Sequence, residues 1–159
     1  MADNPFRLVF VCSGNTCRSP MAELVLAEQV RRAGLAGLLR VSSAGTDSAQ
    51  VGESIAGFAA ELLTERGYPA EHVAVQVGEP QLAADLLVPM AANHDRWLRE
   101  RVAEPGRVRL FCSFDPTAGD VLDVPDPYGG DRAAYQHVLD LVLATTPRLL
   151  AWVRGRLAA

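Results

Sequence analysis

The sequence has few of the features that would place it in a specialised class of protein. Only three of its 159 residues are cysteine, which is too few for a disulfide framework and fits a reducing cytoplasm. It contains no apolar run near the roughly 20 residues of a membrane-spanning helix. Residues 1–5 are polar, and residues 6–11 form too short an apolar stretch for a signal peptide. We therefore expect a cytoplasmic protein without membrane association, with secretion independent of a signal peptide left open.

Excess positive charge is absent as well. The formal net charge of −4 argues against a nucleic-acid partner. Arginines cluster at residues 31–32 and 96–101, but acidic residues lie nearby, and solvated helix faces explain both clusters. Because no internal repeat, linker or low-complexity segment divides the chain, its length fits one domain over residues 1–159 with a hydrophobic core.

The most informative segment runs from residue 9 to residue 20, with the sequence Val-Phe-Val-Cys-Ser-Gly-Asn-Thr-Cys-Arg-Ser-Pro. An apolar strand leads into Cys12, and five residues separate that cysteine from Arg18. The thiolate form of cysteine is a nucleophile, and the planar guanidinium of arginine matches two oxygens of a phosphoryl group. A buried cysteine alone is usually a small hydrophobic residue, but the whole string favours a catalytic Cys12 that attacks a phosphate ester.

The residues between Cys12 and the following helix are predicted to bind the phosphate. Gly14 and Asn15 tolerate the left-handed backbone that lets neighbouring N–H groups converge. A helix beginning near Ser19 would direct its positive end at the same point, with Ser19 as its N-cap and its hydroxyl near the Cys12 sulfur. The predicted phosphate-binding loop comprises Ser13, Gly14, Asn15, Thr16, Cys17 and Ser19.

Alternating apolar patterns predict the order of strands and helices. Predicted strands cover residues 7–12, 38–43, 85–90 and 108–112, and predicted helices cover residues 19–33, 55–66, 94–102 and 131–157. Pro89 is placed at the end of its strand, Pro147 is a candidate interruption of the last helix, and residues 114–130 form a long loop. The alternation predicts an α/β fold, a Rossmann-like three-layer sandwich in which a four-stranded parallel sheet has helices on both faces. Cys12 then lies at the carboxyl end of the first strand, where such sheets bind ligands.

A phosphatase also needs a general acid for the leaving group, and the strongest candidate is Asp126. It lies within the sequence Val-Pro-Asp-Pro-Tyr-Gly-Gly of residues 124–130, where two prolines would stiffen the backbone around it. Asp120 and Asp123 are rivals, but neither is held between prolines. Tyr128 would offer a flat face to a substrate ring. Taken alone, this segment could be ordinary turn chemistry.

These motifs together resemble those of the low molecular weight protein tyrosine phosphatases, over nearly the full length of the chain. Residues 11–23 resemble the phosphate loop and first helix of that family, and residues 126–128 resemble its acid loop. Weaker matches occur at residues 43–46, 93–94 and 113–116 and at His72. The resemblance implies the same four-stranded fold and a two-step mechanism that uses no metal or other cofactor.

By the same resemblance, Cys12 attacks phosphorus, Arg18 holds the equatorial oxygens and Asp126 protonates the leaving group. Asp126 then activates the water that hydrolyses the phosphocysteine. The residues implied to support the loop through hydrogen bonds are Asn15, Ser19, Ser43 and His72. A surface histidine explains His72 nearly as well. The resemblance further implies a monomeric enzyme that acts on phosphorylated proteins and is inhibited by phosphate-like oxyanions.

Departures from the family pattern concern mainly the substrate pocket. The family often has a large aromatic residue where this chain has Ala49 and polar neighbours, and a second tyrosine where it has Gly129. Thr16 stands where tyrosine-specific members tend to carry a bulky aliphatic residue, and it resembles the protein arginine phosphatase branch. Ala91 stands where an aspartate is common. The predicted pocket residues are Thr16, Ala49, Tyr128 and Gly129. Residues 66–72 resemble actinobacterial tyrosine phosphatases, so phosphotyrosine is the expected substrate and phosphoarginine the alternative.

Other interpretations remain open on sequence alone. An arsenate reductase of similar fold would need a downstream cysteine pair, and only Cys112 lies downstream. A nucleotide-binding loop would need G-x4-G-K-[ST], which is absent. A phosphoprotein-binding module could keep the loop without Cys12 and Asp126, and the presence of both favours the enzyme. Cys17 could form a reversible disulfide with Cys12 or be a packed thiol, and the pair lacks the further ligands of a zinc site.

Overall fold

The computed structural model describes residues 4–158. Three strands are present among them: β1 (Phe6–Cys12), β2 (Leu39–Gly45) and β3 (Leu86–Pro89). The α-helices of this region are α1 (Arg18–Arg32), α2 (Gly57–Glu65), α3 (Glu79–Leu82), α4 (Ala92–Arg99) and α5 (Arg132–Leu157). Short 3-10 helices cover Pro105–Arg107 and Phe111–Phe114. Residues 1–3 and 159 of the predicted domain lie outside the described residues.

The strands form one parallel sheet with the order β2-β1-β3, and β1 is the central strand. Side chains alternate between the two faces of a strand, so Leu8 and Phe10 face one layer while Val9 and Val11 face the other. The first layer contains α1, α2 and α5, and the second contains α4. The predicted α/β fold, with a parallel sheet and helices on both faces, is confirmed.

The sheet has three strands in the described part of the chain, so the prediction of four is wrong. At residues 108–112 a single parallel bridge joins Val108 to Leu87, and the 3-10 helix Phe111–Phe114 follows at once. Phe111 is fully buried and packs edge-on against Phe10, with ring centroids 5.8 Å apart. The chain therefore turns inward to bury this ring instead of continuing along β3.

Prolines end one element and leave another intact. Pro89 is the last residue of β3, as predicted. Pro147 does not interrupt α5, which runs unbroken for 26 residues. One side of α5 is buried along most of its length, from Tyr135 to Val153, and this packing outweighs the backbone hydrogen bond that a proline removes. No helix in residues 4–158 has both the length and the apolar character needed to span a membrane.

Candidate active site

The predicted phosphate-binding loop lies between the end of β1 and the start of α1, at the carboxyl edge of the sheet. The end of β2 approaches it closely: a Cβ on Gly45 would lie 2.4 Å from the Ser13 carbonyl oxygen, so only glycine fits there. The Thr46 amide donates to the Cys12 carbonyl at 2.9 Å, and the next amide donates to the Ser13 carbonyl at 3.0 Å. These contacts order the first half of the loop and hold the segment after β2 beside it.

Cys12 is buried, and its Sγ lies 2.9 Å from the hydroxyl of Ser19. The side-chain amide of Asn15 donates to the Ser19 oxygen at 2.9 Å, which leaves the hydroxyl proton free to point at the sulfur. A hydrogen bond of this kind stabilises a thiolate. Ser19 lies inside α1, whose N-cap is Cys17, so the prediction of Ser19 as the N-cap is wrong. Its hydroxyl contacts the sulfur and Asn15 instead of a backbone N–H of the helix.

Asn15 joins the loop to two other segments of the chain. Its φ is 58°, in the left-handed region, and its side chain is fully buried. Nδ2 donates to the hydroxyls of Ser19 and Ser43, both at 2.9 Å. Oδ1 accepts from the Val75 amide at 3.0 Å and lies 2.9 Å from His72 Nε2. The structure thus brings together the four residues predicted to support the loop.

A carboxylate that sequence reasoning missed extends this network. Glu23 Oε1 accepts from the Ser43 hydroxyl at 2.6 Å and lies 3.6 Å from His72 Nδ1. Burial raises the pKa of Glu23 and lowers the pKa of His72, so both shifts favour a neutral pair over a charged one. Glu23 lies four residues after Ser19 on the same face of α1, and that spacing is the signal that could have identified it.

Gly14 does not adopt the predicted left-handed conformation; among residues 13–19 only Asn15 has a positive φ. The absence of a side chain at residue 14 instead leaves room for a neighbouring residue. The side chain of Gln50 lies across Gly14, and a Cβ on Gly14 would be 1.7 Å from Gln50 Oε1. The Thr16 hydroxyl donates to the same Oε1 at 3.2 Å. The segment after β2 therefore contributes a polar wall to the site through Gln50, which the sequence did not single out.

Arg18 connects the loop to the predicted general acid. Its guanidinium is buried, and Nη1 donates to the Val124 carbonyl at 3.2 Å. Nη2 lies 3.6 Å from Asp126 Oδ2, and the Asp126 side chain is 55% exposed. The other carboxylate oxygen of Asp126 accepts from the Tyr128 amide at 3.1 Å. A guanidinium held in this way can bind a phosphoryl group while the carboxylate stays within reach of its leaving oxygen.

These groups line one open cleft of about 460 Å³. Cys12, Arg18 and Asp126 share it with three of the four predicted pocket residues, which are Thr16, Ala49 and Tyr128. Gly129 does not line the cleft and instead takes a φ of 77° in the turn after Tyr128. The carboxylates of Asp47 and Glu53 add negative charge to the rim of the cleft. The site therefore combines a cationic, donor-rich floor with an acidic rim.

His94 is a third residue that sequence reasoning did not place in the site. Its Nε2 lies 2.9 Å from the Ser13 hydroxyl, and the ring is 1% exposed. Burial, aided by the positive charge of Arg18, lowers the pKa of His94 to about 4. The imidazole is therefore neutral at physiological pH and supports Ser13 as an uncharged hydrogen-bonding group. In the sequence, residues 93–94 resemble the family pattern only weakly, and that resemblance indicates no role for His94.

Cys17 lies on the side of the loop that faces α5. Its Sγ is 3.5 Å from the hydroxyl of Tyr135, and burial raises the pKa of the Cys17 thiol. Cys12, Cys17 and Cys112 are all free cysteines, so a Cys12–Cys17 disulfide stays a prediction about an oxidised state. Within residues 4–158, no cluster of three or more histidine, cysteine, aspartate or glutamate side chains could hold a metal ion.

A thiol at the end of the central strand shares one cleft with a buried guanidinium and a carboxylate. This arrangement defines the class: a phosphatase on a parallel α/β sheet. Comparison with known proteins gives the family. The chain belongs to the family described as low molecular weight phosphotyrosine protein phosphatase, whose model matches residues 7–158.

Individual relatives agree with this assignment. Low molecular weight protein-tyrosine phosphatase A of Mycobacterium tuberculosis is 47% identical over 156 residues, which cover 98% of this chain and 96% of that protein. The protein-arginine-phosphatase of Bacillus subtilis is 33% identical over 134 residues, covering 84% and 87%. A crystal structure of a protein tyrosine phosphatase from Entamoeba histolytica matches with a TM-score of 0.88 at 26% identity, covering 94% of this chain and 97% of that one.

Proposed function

We propose that this protein hydrolyses phosphotyrosine in phosphorylated proteins through a phosphocysteine intermediate on Cys12. The observation that carries the proposal is the convergence of Cys12, Arg18 and Asp126 on one cleft. The nucleophile, the oxyanion-binding cation and the proton donor are the three groups that phosphoryl transfer to sulfur requires.

The first step forms the phosphocysteine. The thiolate of Cys12 attacks phosphorus, the S–P bond forms and the ester P–O bond breaks. Asp126 gives its proton to the leaving oxygen, while Arg18 and the loop amides bind the other phosphoryl oxygens. In the second step a water molecule gives a proton to Asp126 and attacks phosphorus. The S–P bond breaks, orthophosphate leaves, and the Ser19 hydroxyl again stabilises the thiolate.

Phosphotyrosine is the preferred substrate in this proposal because an exposed aromatic side chain lies at the mouth of the cleft. Tyr128 is 67% exposed there and offers its ring to a substrate ring. The relative from Mycobacterium tuberculosis, at 47% identity, is also named a tyrosine phosphatase.

A specific contact favours phosphoarginine as the second candidate. The Thr16 hydroxyl donates to Gln50 Oε1, so the lone pairs of its oxygen remain available to the N–H groups of a substrate guanidinium. Asp47 and Glu53 at the rim would also attract a cationic group.

Parallel kinetics on two peptides test the substrate. One peptide sequence is prepared with phosphotyrosine or phosphoarginine at the same position, and kcat/KM is measured for both in EDTA. We expect a higher value for phosphotyrosine. A clear preference for phosphoarginine would reassign the substrate, and no turnover of either peptide or of p-nitrophenyl phosphate would overturn the phosphatase assignment of this site.

Further properties belong to the same proposal. We infer a single phosphatase domain that acts as a monomer in the cytoplasm, without a metal or other cofactor and without nucleic-acid or membrane partners. Phosphate-like oxyanions should inhibit it competitively, because the loop amides and Arg18 would bind them in place of the substrate phosphate.

A further inference from the structure

Helix α4 is capped from a distant part of the chain. It follows β3 at the carboxyl edge of the sheet, and its N-cap is Ala91, which has no side-chain acceptor for the free N–H groups. Asp123 supplies the acceptor from 31 residues away: its Oδ1 accepts from the Ala92 amide at 2.8 Å. A carboxylate also interacts favourably with the positive end of the helix dipole. This bond joins α4 to the segment that carries Asp126.

The residue after Asp123 is fixed on both of its backbone groups. The Val124 amide donates to the Met90 carbonyl at 2.8 Å, and the Val124 carbonyl accepts from Arg18 Nη1 at 3.2 Å. The Val124 side chain is also buried. The Asp126 side chain, in contrast, is 55% exposed, and its contact with Arg18 is as long as 3.6 Å. Asp123 and Val124 are therefore the last firmly held residues before the acid.

We propose that Asp123 is a positioning residue for the general acid, because its bond to the Ala92 amide sets where Asp126 stands relative to the leaving group. The inference rests on the proposed function, in which Asp126 protonates the leaving oxygen. Pro125 and Pro127 restrict the backbone on either side of Asp126, so a displacement at Asp123 is passed on to the acid rather than absorbed. A misplacement of about 1 Å in a catalytic constellation costs on the order of 100-fold in rate.

Residue 91 allows helix capping to be separated from loop positioning. An aspartate at residue 91 would cap α4 locally. It would not restore the hydrogen bond that joins α4 to the segment carrying Asp126. The variants are therefore Asp123→Asn, which keeps an oxygen acceptor, Asp123→Ala, which removes it, and Asp123→Ala combined with Ala91→Asp. Each is measured by thermal unfolding and by kcat/KM on phenyl phosphate, a poor leaving group, and p-nitrophenyl phosphate, a good one. Because kcat/KM reports the step that releases the leaving group, the later attack of water does not enter.

Asp123→Ala should lower kcat/KM for phenyl phosphate roughly tenfold, a part of the 100- to 10,000-fold that a general acid contributes. The value for p-nitrophenyl phosphate should fall less than about twofold, because that leaving group needs little protonation. Asp123→Asn should stay near wild type. The double variant should regain thermal stability without regaining turnover of phenyl phosphate. Equal losses on both substrates, or recovered turnover in the double variant, would show that Asp123 only stabilises the helix.

Hydrogen exchange tests whether the bond between Asp123 and the Ala92 amide orders the segment around Asp126, and it requires no turnover. The Val124 and Tyr128 amides should exchange faster in Asp123→Ala and in the double variant than in the wild-type protein. Unchanged exchange would overturn the inference whatever the kinetics are. A different result would overturn the proposed function, namely no hydrolysis of p-nitrophenyl phosphate by the wild-type protein.

Discussion

The two sides of the cleft differ in how firmly they are held. On the cysteine side, Asn15 and Ser19 have no exposed surface and Arg18 is 6% exposed. On the acid side, the Asp126 side chain is 55% exposed and Tyr128 is 67% exposed. Dipoles that bind an oxyanion act most strongly when they are fixed and shielded from water. A general acid such as Asp126, which exchanges protons with solvent and meets varied leaving groups, needs to be accessible to water and substrate instead.

This difference predicts how each side responds to substitution. On the buried side a change should affect both catalysis and the free energy of unfolding, except where the new side chain keeps the size and hydrogen bonds of the old one. On the exposed side a change should affect catalysis alone.

The largest effect is expected from Cys12→Ser, which changes one atom on the buried side. Turnover of p-nitrophenyl phosphate should fall by at least about 10,000-fold, because the serine hydroxyl is not ionised at neutral pH. Phosphate should still bind, since Arg18 and the loop amides are intact, and isothermal titration calorimetry measures this. Cys112→Ser, in a buried cysteine outside the cleft, is the matched control and should keep its activity. Residual turnover near wild type in Cys12→Ser would exclude the covalent mechanism.

Asp126→Asn tests the exposed side. The kcat/KM for phenyl phosphate should fall by about 100- to 10,000-fold, and that for p-nitrophenyl phosphate much less, because only the poor leaving group needs the proton. The midpoint of chemical denaturation should not move, since the side chain is mostly solvated. Asp120→Asn, in the same loop, should change neither quantity. Equal losses on both substrates would remove Asp126 from the acid role.

The sequence predicts well those parts of the site that consecutive residues of the chain form. The first strand and the first helix agree with the structure to within one residue, because a short apolar run and a following amphipathic helix are local signals. The convergence of Cys12 and Arg18 on one cleft depends on only seven consecutive positions. The flanking prolines, which are immediate neighbours of Asp126, indicate it as the acid candidate. The structure places its side chain in the same cleft, and its role as the acid stays a prediction.

The parts that sequence missed depend on contacts between distant segments. Gln50 lies across Gly14, and His94 contacts Ser13, but no spacing in the chain indicates either contact. The prediction of a fourth strand is wrong for the same reason. The pattern at residues 108–112 is apolar enough for a strand, and the burial of Phe111 against Phe10 decides otherwise. Tertiary packing overrides local preference at these places.

Asn15→Ala should show the coupling of catalysis and stability on the buried side. It removes the partner of Ser19, Ser43 and His72 and places alanine in a left-handed conformation. The free energy of unfolding should fall by about 2 to 4 kcal/mol, measured by urea denaturation, with a parallel loss of kcat. Asn15→Gly separates the two causes, because it relieves the backbone strain of about 1 kcal/mol and leaves the hydrogen bonds broken.

The exposed Asn93 provides the control for this prediction. Asn93→Ala should change the free energy of unfolding by less than about 0.5 kcal/mol. A loss of activity in Asn15→Ala without any loss of stability would mean that the network acts on the reaction alone and that the contrast between the two sides is wrong.

The smallest effect is expected at the contact of Thr16 with Gln50, where the phosphate loop meets the segment after β2. The carbonyl oxygen Oε1 can only accept, so the Thr16 hydroxyl must donate to it, and its lone pairs are left for substrate N–H groups. Gln50→Ala frees the hydroxyl to rotate. One neutral hydrogen bond contributes about 1 kcal/mol, so the ratio of kcat/KM for phosphoarginine over phosphotyrosine peptides should fall by about fivefold. Thr16→Val should give the same fall, and the double variant should fall no further, because both changes remove one interaction. A rise of the ratio in Gln50→Ala would instead identify Gln50 as a steric wall, and the polar contact would then play no part in substrate choice.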